Sequence, residues 1–201
     1  LNLTGTPVFL ALNDECIGIF EIEDALRHDS EDTISSLKSA GYTCVLVTGD
    51  KKEIADSLSK QLNIDHTHSE VLPDEKATIV SSYQDQGFVV AMVGDGINDA
   101  PAIAQADVGI AMGSGTDIAM ETGEIVLAHS DLKAVLRATR LANATFKKIK
   151  QNLFWAFIYN IVAIPLAFAG VLHPVIAEAA MALSSINVVG NSNRLKSIKF
   201  Y

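Results

Sequence analysis

Cysteine is scarce: the chain has two in 201 residues, Cys16 and Cys44. Each stands alone in an apolar, strand-like run. Two cysteines are too few for a disulfide-stapled scaffold, and they read as buried free thiols ahead of a single disulfide or a metal pair. Acid is scarce at one end. Residues 145–201 hold Glu178 alone against six basic residues, a balance of +5, whereas residues 1–144 hold nine basic and 23 acidic residues, a balance of −14. Asymmetry of this kind points to two physical environments, and the acidic part is no partner for nucleic acid. There is no internal repeat, no low-complexity linker and no signal-peptide pattern. The opening "LNLTGTPVFLAL" has no Met and looks like a start inside a larger protein.

What is present is apolar: 49% of the residues are hydrophobic, high for a soluble domain. Residues 1–145 alternate between strand and helix signals. "PVFLAL" and "CIGIFEIE" read as a hairpin around Asn13–Asp14. "HDSEDTISSLKSAG" offers Asp29 or Ser30 as N-cap and Gly41 as a stop. A strand "TCVLV", a helix near Lys51–Leu62 and a helix starting at Pro73–Asp74 follow. Next come a strand over 88–93, a short helix with Pro101 in its first turn, and strands in "VGIAMG" and "EIVLA" separated by a short helix near 116–122. Alternating strands and helices imply an α/β fold, a parallel sheet covered on both faces.

In such sheets chemistry gathers at the carboxyl ends of the strands. "VLVTGD" brings Thr48, Gly49 and Asp50 to one strand end, and "MVGDGIND" brings Asp95, Asn98 and Asp99 to another. Gly94 and Gly96 allow close approach to the backbone. Two crowded carboxylates repel unless something positive lies between them, and Mg²⁺ held against a phosphoryl group by Asp95 answers that need. Asn98 and Asp99 would orient the metal's waters or the phosphate. Lys76, in "LPDEKA", is either a solvated helix lysine or a fixed positive charge at the site; spacing alone leaves both open.

"TGD", "LPDEK" and "MVGDGINDAPAIAQADVGIAMGSGTDIA" resemble the phosphorylation domain of P-type ATPases, which has a haloacid-dehalogenase-like fold. The resemblance implies that Thr48 contacts the phosphoryl group and that Gly49 and Asp50 complete the loop beside the ATP phosphates. It implies that Lys76 neutralises a phospho-aspartate, that Asp95 ligates Mg²⁺, and that Asn98 and Asp99 support it. Electrostatic stabilisation of the transferred phosphoryl would then be the main catalytic effect. The chain departs from the pattern in lacking the DKTGT nucleophile motif and the nucleotide-binding domain, and in carrying Lys51 where Asn usually follows TGD. Alone, it should form no aspartyl phosphate; it looks like the C-terminal part of a pump.

Residues 146–201 decide which pump. "LFWAFIYNIVAIPLAFAGVL" (153–172) has the length that crosses a bilayer core, and "VIAEAAMALSSINVVGNS" (175–192) reads as a second, more polar span. Lys147, Lys148 and Lys150 flank the first, and Arg194, Lys196 and Lys199 flank the second. The positive-inside rule makes this a transmembrane hairpin with His173 on the far side and residues 1–145 and the C-terminus in the cytoplasm, at the plasma membrane. A buried helical hairpin in a soluble protein is the alternative. Within the spans, Tyr159, Asn160, Met181, Ser184, Ser185 and Asn187 are polar or soft, and no Asp is present. "YN" followed by "MxxSS" resembles the Cu(I)/Ag(I)-transporting branch of the heavy-metal P-type ATPases. There such residues line the transport site with a Cys-Pro-Cys from an earlier helix. The resemblance implies that Tyr159, Asn160, Met181 and Ser185 face one another across the helix pair and hold the transported Cu(I); Ser185 is preferred to Ser184 because it follows Met181 by one helical turn. Helix packing is the plain alternative for any one of them. The implied partners are membrane lipid, the missing nucleotide, actuator and transmembrane segments, and a copper chaperone. Other readings stay open: a soluble phosphatase of the same fold, a membrane-anchored Mg²⁺/phosphate-binding module without turnover, or a pump for another transition metal.

Overall fold

Two apolar runs make an antiparallel hairpin of β1 (Thr6–Leu12) and β2 (Glu15–Ile22), with Asn13 left-handed at φ 51° in its turn. The computed structural model describes residues 6–13, 15–22, 26–95, 97–113, 121–128, 131–170 and 173–198. Gly96, most of the short helix near 116–122, and Lys199 lie outside the described residues. The hairpin leaves Phe9, Leu12, Ile17 and Phe20 exposed. Cys16 is exposed with them, against the expectation of two buried thiols; Cys44 is buried.

Helix α1 (Ser30–Ser39) leads to β3 (Val45–Val47), and Gly41 turns the chain between them at φ 91°. Helix α2 (Lys52–Leu62) closes on a left-handed Asn63. A strand with no sequence signal follows: β4 (His66–His68), which pairs parallel with β3. After α3 (Pro73–Asp85) comes β5, at Ala91–Gly94 rather than 88–93. Phe88 instead stacks edge-on against Tyr83, and the Val90 N–H donates to the Asp107 carboxylate, which starts the ladder. Strands β5, β6 (Val108–Met112) and β7 (Ile125–Leu127) pair in parallel, Ala91 opposite Val108 and Ile110 opposite Ile125. Helix α4 (Ala100–Gln105) packs so closely on β6 that a Cβ at Gly109 would lie 2.6 Å from the Ile103 carbonyl oxygen. Ala102, Ile103, Ile110 and Ala111 are the driest part of this core. Parallel pairing and α/β alternation agree with the sequence reading, but the described strands form two parallel ladders rather than one sheet.

The chain divides into two compact units, Leu1–Leu136 and Arg137–Tyr201. The last helix to start in the first unit is α5 (Leu132–Phe168), with Pro165 inside it. It begins well before the apolar stretch at 153 because its orphan amides are satisfied there. The Asp131 carboxylate accepts the Ala134 N–H at 2.8 Å, and the Asp29 carboxylate accepts the Lys133 N–H at 3.1 Å. Asp29 stands at the N-cap of α1 but makes no side-chain bond to that helix. The second unit holds the rest of α5 and α6 (Pro174–Asn193), whose N-cap His173 accepts the Val175 N–H on Nδ1.

Asp29 is 2% exposed. Burial pushes its carboxyl pKa up, but donation from Lys133 and from its own backbone, with the charges of His28 and Lys133, outweighs this and holds it below the ordinary value. A depressed carboxylate stabilises the fold above its unfolded pKa, roughly 3.9, and the contribution is lost as pH falls through the folded value. Asp29→Ala should therefore cost about 1–2 kcal/mol near neutral pH, as a lost helix cap does. Hydrogen exchange at the Lys133 amide should quicken in the variant, and its thermal midpoint should converge on wild type in acid.

Candidate functional site

Two strand ends carry the candidate residues, those of β3 and β5. Thr48 follows β3 and is fixed by the ladder: its N–H donates to the His68 carbonyl and its carbonyl accepts from Val71. Its hydroxyl donates to Asp50 Oδ2 at 2.7 Å, while the Asp50 N–H donates back to Thr48 Oγ1 at 3.1 Å. Thr48, Gly49 and Asp50 thus form a small self-bonded loop with Gly49 and Asp50 exposed.

Lys76 is set by the start of α3. Pro73 opens that helix, and Glu75 reaches back to accept the Leu72 N–H at 3.0 Å. Lys76 Nζ then donates to Asp99 Oδ1 at 2.7 Å, with both side chains about 15% exposed (14% and 15%). This is no solvated lysine. The Asp95 N–H points at Asp99 Oδ2, 3.4 Å away. Gly94 makes the crowding possible: a Cβ there would lie 2.6 Å from the Asp99 Cβ and 2.9 Å from its Oδ2. The charge that relieves the two carboxylates is therefore an ammonium on Asp99, which leaves the Asp95 carboxylate exposed, with no hydrogen bond or ion pair among the described residues. Asn98, in the 3₁₀ turn Ile97–Asp99, is exposed beside it. One free carboxylate next to a neutralised one suits a hard, mostly hydrated cation such as Mg²⁺, which takes one or two protein oxygens and keeps its waters. No group of three or more His, Cys, Asp and Glu is gathered among the described residues, so an all-protein cage is not on offer.

In the second unit, α5 is, among the described residues, the one helix long and apolar enough to cross a membrane. α6 has the length, with 20 residues, but Glu178, Ser184, Ser185, Asn187 and Asn191 make it more polar. Asn160 donates to the Ala156 carbonyl at 3.0 Å and Ser185 to the Met181 carbonyl at 3.2 Å, each within its own helix. Tyr159 is half-buried and its phenol oxygen accepts from Asn187 of α6 at 2.8 Å. Met181 is 70% exposed, and Asn160 and Ser185 are exposed too, while Ser184 is half-buried. Among the described residues no hydrogen bond joins these four across the pair; the cross-helix partner of Tyr159 is Asn187. Met181 and Ser185 lie one helical turn apart, both exposed. Near the C-terminal end of α6, Asn191 binds Lys148, Gln151 and Asn152 of mid-α5, and Asn152 binds Ser192, a cluster that composition alone did not reveal.

Residues 1–107 match the haloacid dehalogenase-like hydrolase family. The chain belongs to the haloacid dehalogenase-like hydrolases. The resemblance to heavy-metal P-type ATPases extends over nearly all of it. It is 51% identical over 198 residues to the probable copper-importing P-type ATPase A of Enterococcus hirae, covering 96% of this chain and 27% of that protein. It is 44% identical to a copper-exporting P-type ATPase of Legionella pneumophila, covering 95% of this chain and 27% of that one. Among solved structures it resembles a zinc-transporting PIB-type ATPase in its E2.Pi state, with TM-score 0.85 and 35% identity over 94% of this chain and 31% of that one. The chain thus spans about a quarter of the length of the curated relatives it matches.

In this haloacid dehalogenase-like hydrolase, Gly94 decides whether Asp99 can lie over the strand end. Gly94→Ala should push Asp99 off Lys76 and cost about 1–3 kcal/mol, the usual penalty of overpacking. Mg²⁺ titration followed by the Asn98 and Asp99 amide resonances should then lose its wild-type pattern.

Proposed function

We infer that this chain is the C-terminal part of an ATP-driven P-type pump that moves Cu(I) or Ag(I) across a membrane through an aspartyl phosphate. The observation that carries the reading is the pairing, in one chain, of a strand-end site built from Lys76, Asp95 and Asp99 with membrane-length helices bearing Tyr159, Asn160, Met181 and Ser185 and no Asp. The similarity to copper-transporting P-type ATPases supports it.

In this reading residues 1–145 are the cytoplasmic phosphorylation domain and residues 146–201 cross the plasma membrane, with the C-terminus also cytoplasmic. Mg²⁺ would bind at Asp95 beside Asn98 and Asp99, and would supply charge for the phosphoryl group of ATP. Thr48, Gly49, Asp50 and Lys76 would position that group by hydrogen bonds and charge. The nucleophile Asp belongs to a segment outside this chain. Its strand has places to pair: β3 is bonded only to β4 and β5 only to β6 among the described residues. Their apolar side chains Val45, Leu46, Val47, Met92 and Val93 are half-buried, where strands covered on both sides would be buried. Nucleotide and actuator domains, further helices, lipid and a copper chaperone complete the proposed partners. The exposed Asn160, Met181 and Ser185 then look toward those further helices. Asn160 and Ser185 commit donors to their own helix, which leaves oxygen lone pairs free for a cation, and the Met181 thioether favours a soft monovalent one.

A pump for Zn²⁺ is the second reading, supported by the likeness to the zinc-transporting structure. The absence of Asp from both spans weighs against it, because a hard or borderline divalent ion calls for a carboxylate deep in the membrane.

The chain alone should give no acid-stable, hydroxylamine-sensitive phosphoenzyme with labelled ATP. In the complete pump, Asp95→Ala should abolish Mg²⁺-dependent phosphorylation. Met181→Ala and Asn160→Ala should lower Cu(I)-stimulated phosphorylation by ATP while leaving phosphorylation by inorganic phosphate intact. Stronger activation by Zn²⁺ than by Cu(I), or wild-type Cu(I) activation in both variants, would overturn the copper assignment.

A further inference from the structure

We propose that Asn187 is a positioning residue for the transport site: its side-chain amide, reaching across from α6, holds the Tyr159 phenol of α5 in place. The inference rests on the transport reading above, which assigns Asn187 no role.

The two residues are 28 apart in sequence and belong to different helices, yet Asn187 Nδ2 lies 2.8 Å from the Tyr159 hydroxyl oxygen. Both stand in spans whose other side chains are largely apolar. A polar group in hydrocarbon is costly unless paired, so the pair explains how each is tolerated. Packing alone does not call for it, since Phe and Leu would fill the same space without any bond to satisfy. The remaining contacts separate Asn187 from its neighbours. Asn160 and Ser185 are oriented locally, each by a carbonyl of its own helix. Asn191 ties the helices together through Lys148, Gln151 and Asn152, none of them a proposed ligand. Among the described residues, the bond from Asn187 is the cross-helix one that reaches a proposed ion ligand.

Helix geometry says why α6 can do both jobs. Asn187 follows Ser184 by three residues and precedes Asn191 by four, so the three share a face. Ser184 and Asn191 are half-buried, and Asn187, though exposed, reaches Tyr159 of α5 from this stripe. Met181 and Ser185, also exposed, lie on the other side of Ser184 around the helix. One helix therefore presents ligands on one side and fixes the orientation of the partner's ligand from the other. The amide fills one acceptor site of the phenol oxygen and fixes the ring; the second lone pair is left for the ion. Loss of the clamp should weaken ion binding without slowing the chemistry, because the phosphoryl site uses other residues.

The test is a double-mutant cycle on the complete pump in detergent. Cu(I) affinity is read by competition with a chromogenic Cu(I) chelator, and the half-activating Cu(I) concentration for phosphorylation by ATP is read beside it. Asn187→Leu should raise both the dissociation constant and the half-activating concentration about three- to ten-fold, the size of one hydrogen bond, with maximal phosphoenzyme unchanged. Asn187→Gln should recover part of the loss. In a Tyr159→Phe background, Asn187→Leu should add nothing. An unchanged affinity in Asn187→Leu, or equal losses in the wild-type and Tyr159→Phe backgrounds, overturns the proposal. Phosphorylation by inorganic phosphate confirms that each variant is folded, and Asn187→Ala replaces Asn187→Leu if the latter fails this check. Activation of the wild-type pump by Zn²⁺ in place of Cu(I) would sink the copper reading instead, and the cycle is then scored with Zn²⁺.

Discussion

The Lys76–Asp99 ion pair is the constraint on which the strand-end site depends. Asp95, Asn98 and Asp99 crowd the end of β5, and like charges so placed repel each other. The ammonium of Lys76, 2.7 Å from Asp99, removes one of the two charges from the contest. The pair is mostly shielded from water, so it is worth more than an exposed surface bridge, yet it is not so deep that desolvation overwhelms the attraction. Other features serve it. Pro73 and the Glu75 cap fix the first turn of α3 and so the reach of Lys76. Gly94 has no side chain, so Asp99 can lie over the strand. The outcome is a division between like groups: Asp99 is committed to Lys76, and the Asp95 carboxylate has no hydrogen bond or ion pair among the described residues.

The sequence made this site legible because its parts are local. TGD, LPDEK and GDGIND each bring their candidate residues within a few positions of a strand end or helix start, and strand–helix alternation supplies the rest. The parts that escaped are those set by partners distant in sequence. β4 reads "HTH", which has no strand signal, and it exists because β3 offers a parallel edge. The start of β5 shifts because an Asp107 carboxylate takes the Val90 amide. Helix α5 begins at Leu132 with two caps: Asp131 accepts the Ala134 amide locally, a spacing the sequence can show, while Asp29, 104 residues before Lys133, accepts that residue's amide. A cap borrowed from another element has no spacing to recognise.

The helix pair teaches the complementary lesson. Periodicity correctly groups Met181 with Ser185 on one stripe of α6, and the hydrogen bond between them reflects that. Periodicity says nothing about which stripe meets α5. That choice falls to the stripe of Ser184, Asn187 and Asn191, because its amides find complementary groups in Tyr159, Asn152, Gln151 and Lys148. In a bilayer there is little hydrophobic gain from bringing two apolar helix faces together, since lipid is equally apolar. Hydrogen bonds and small side chains decide the interface instead. The polar residues that look out of place in a span are therefore the ones that fix its register.

The basic flanks follow from the same reasoning. Six basic residues against one acid in residues 145–201 satisfy the charge asymmetry of a membrane hairpin, yet the lysines are not interchangeable. Lys150 lies over the Phe146 ring, 4.5 Å from its centroid, on its own helix. Lys148 turns to Asn191 at 2.9 Å and Gln151 at 3.3 Å. Among the described residues Lys148 is bound by neutral amide oxygens and by no carboxylate. It ties α5 to α6, and in the proposed membrane hairpin its charge would still add to the positive flank. An acid in place of Asn191 would strengthen the tie and cancel that charge. The amide keeps both, which reconciles a polar interior seam with a net positive membrane flank.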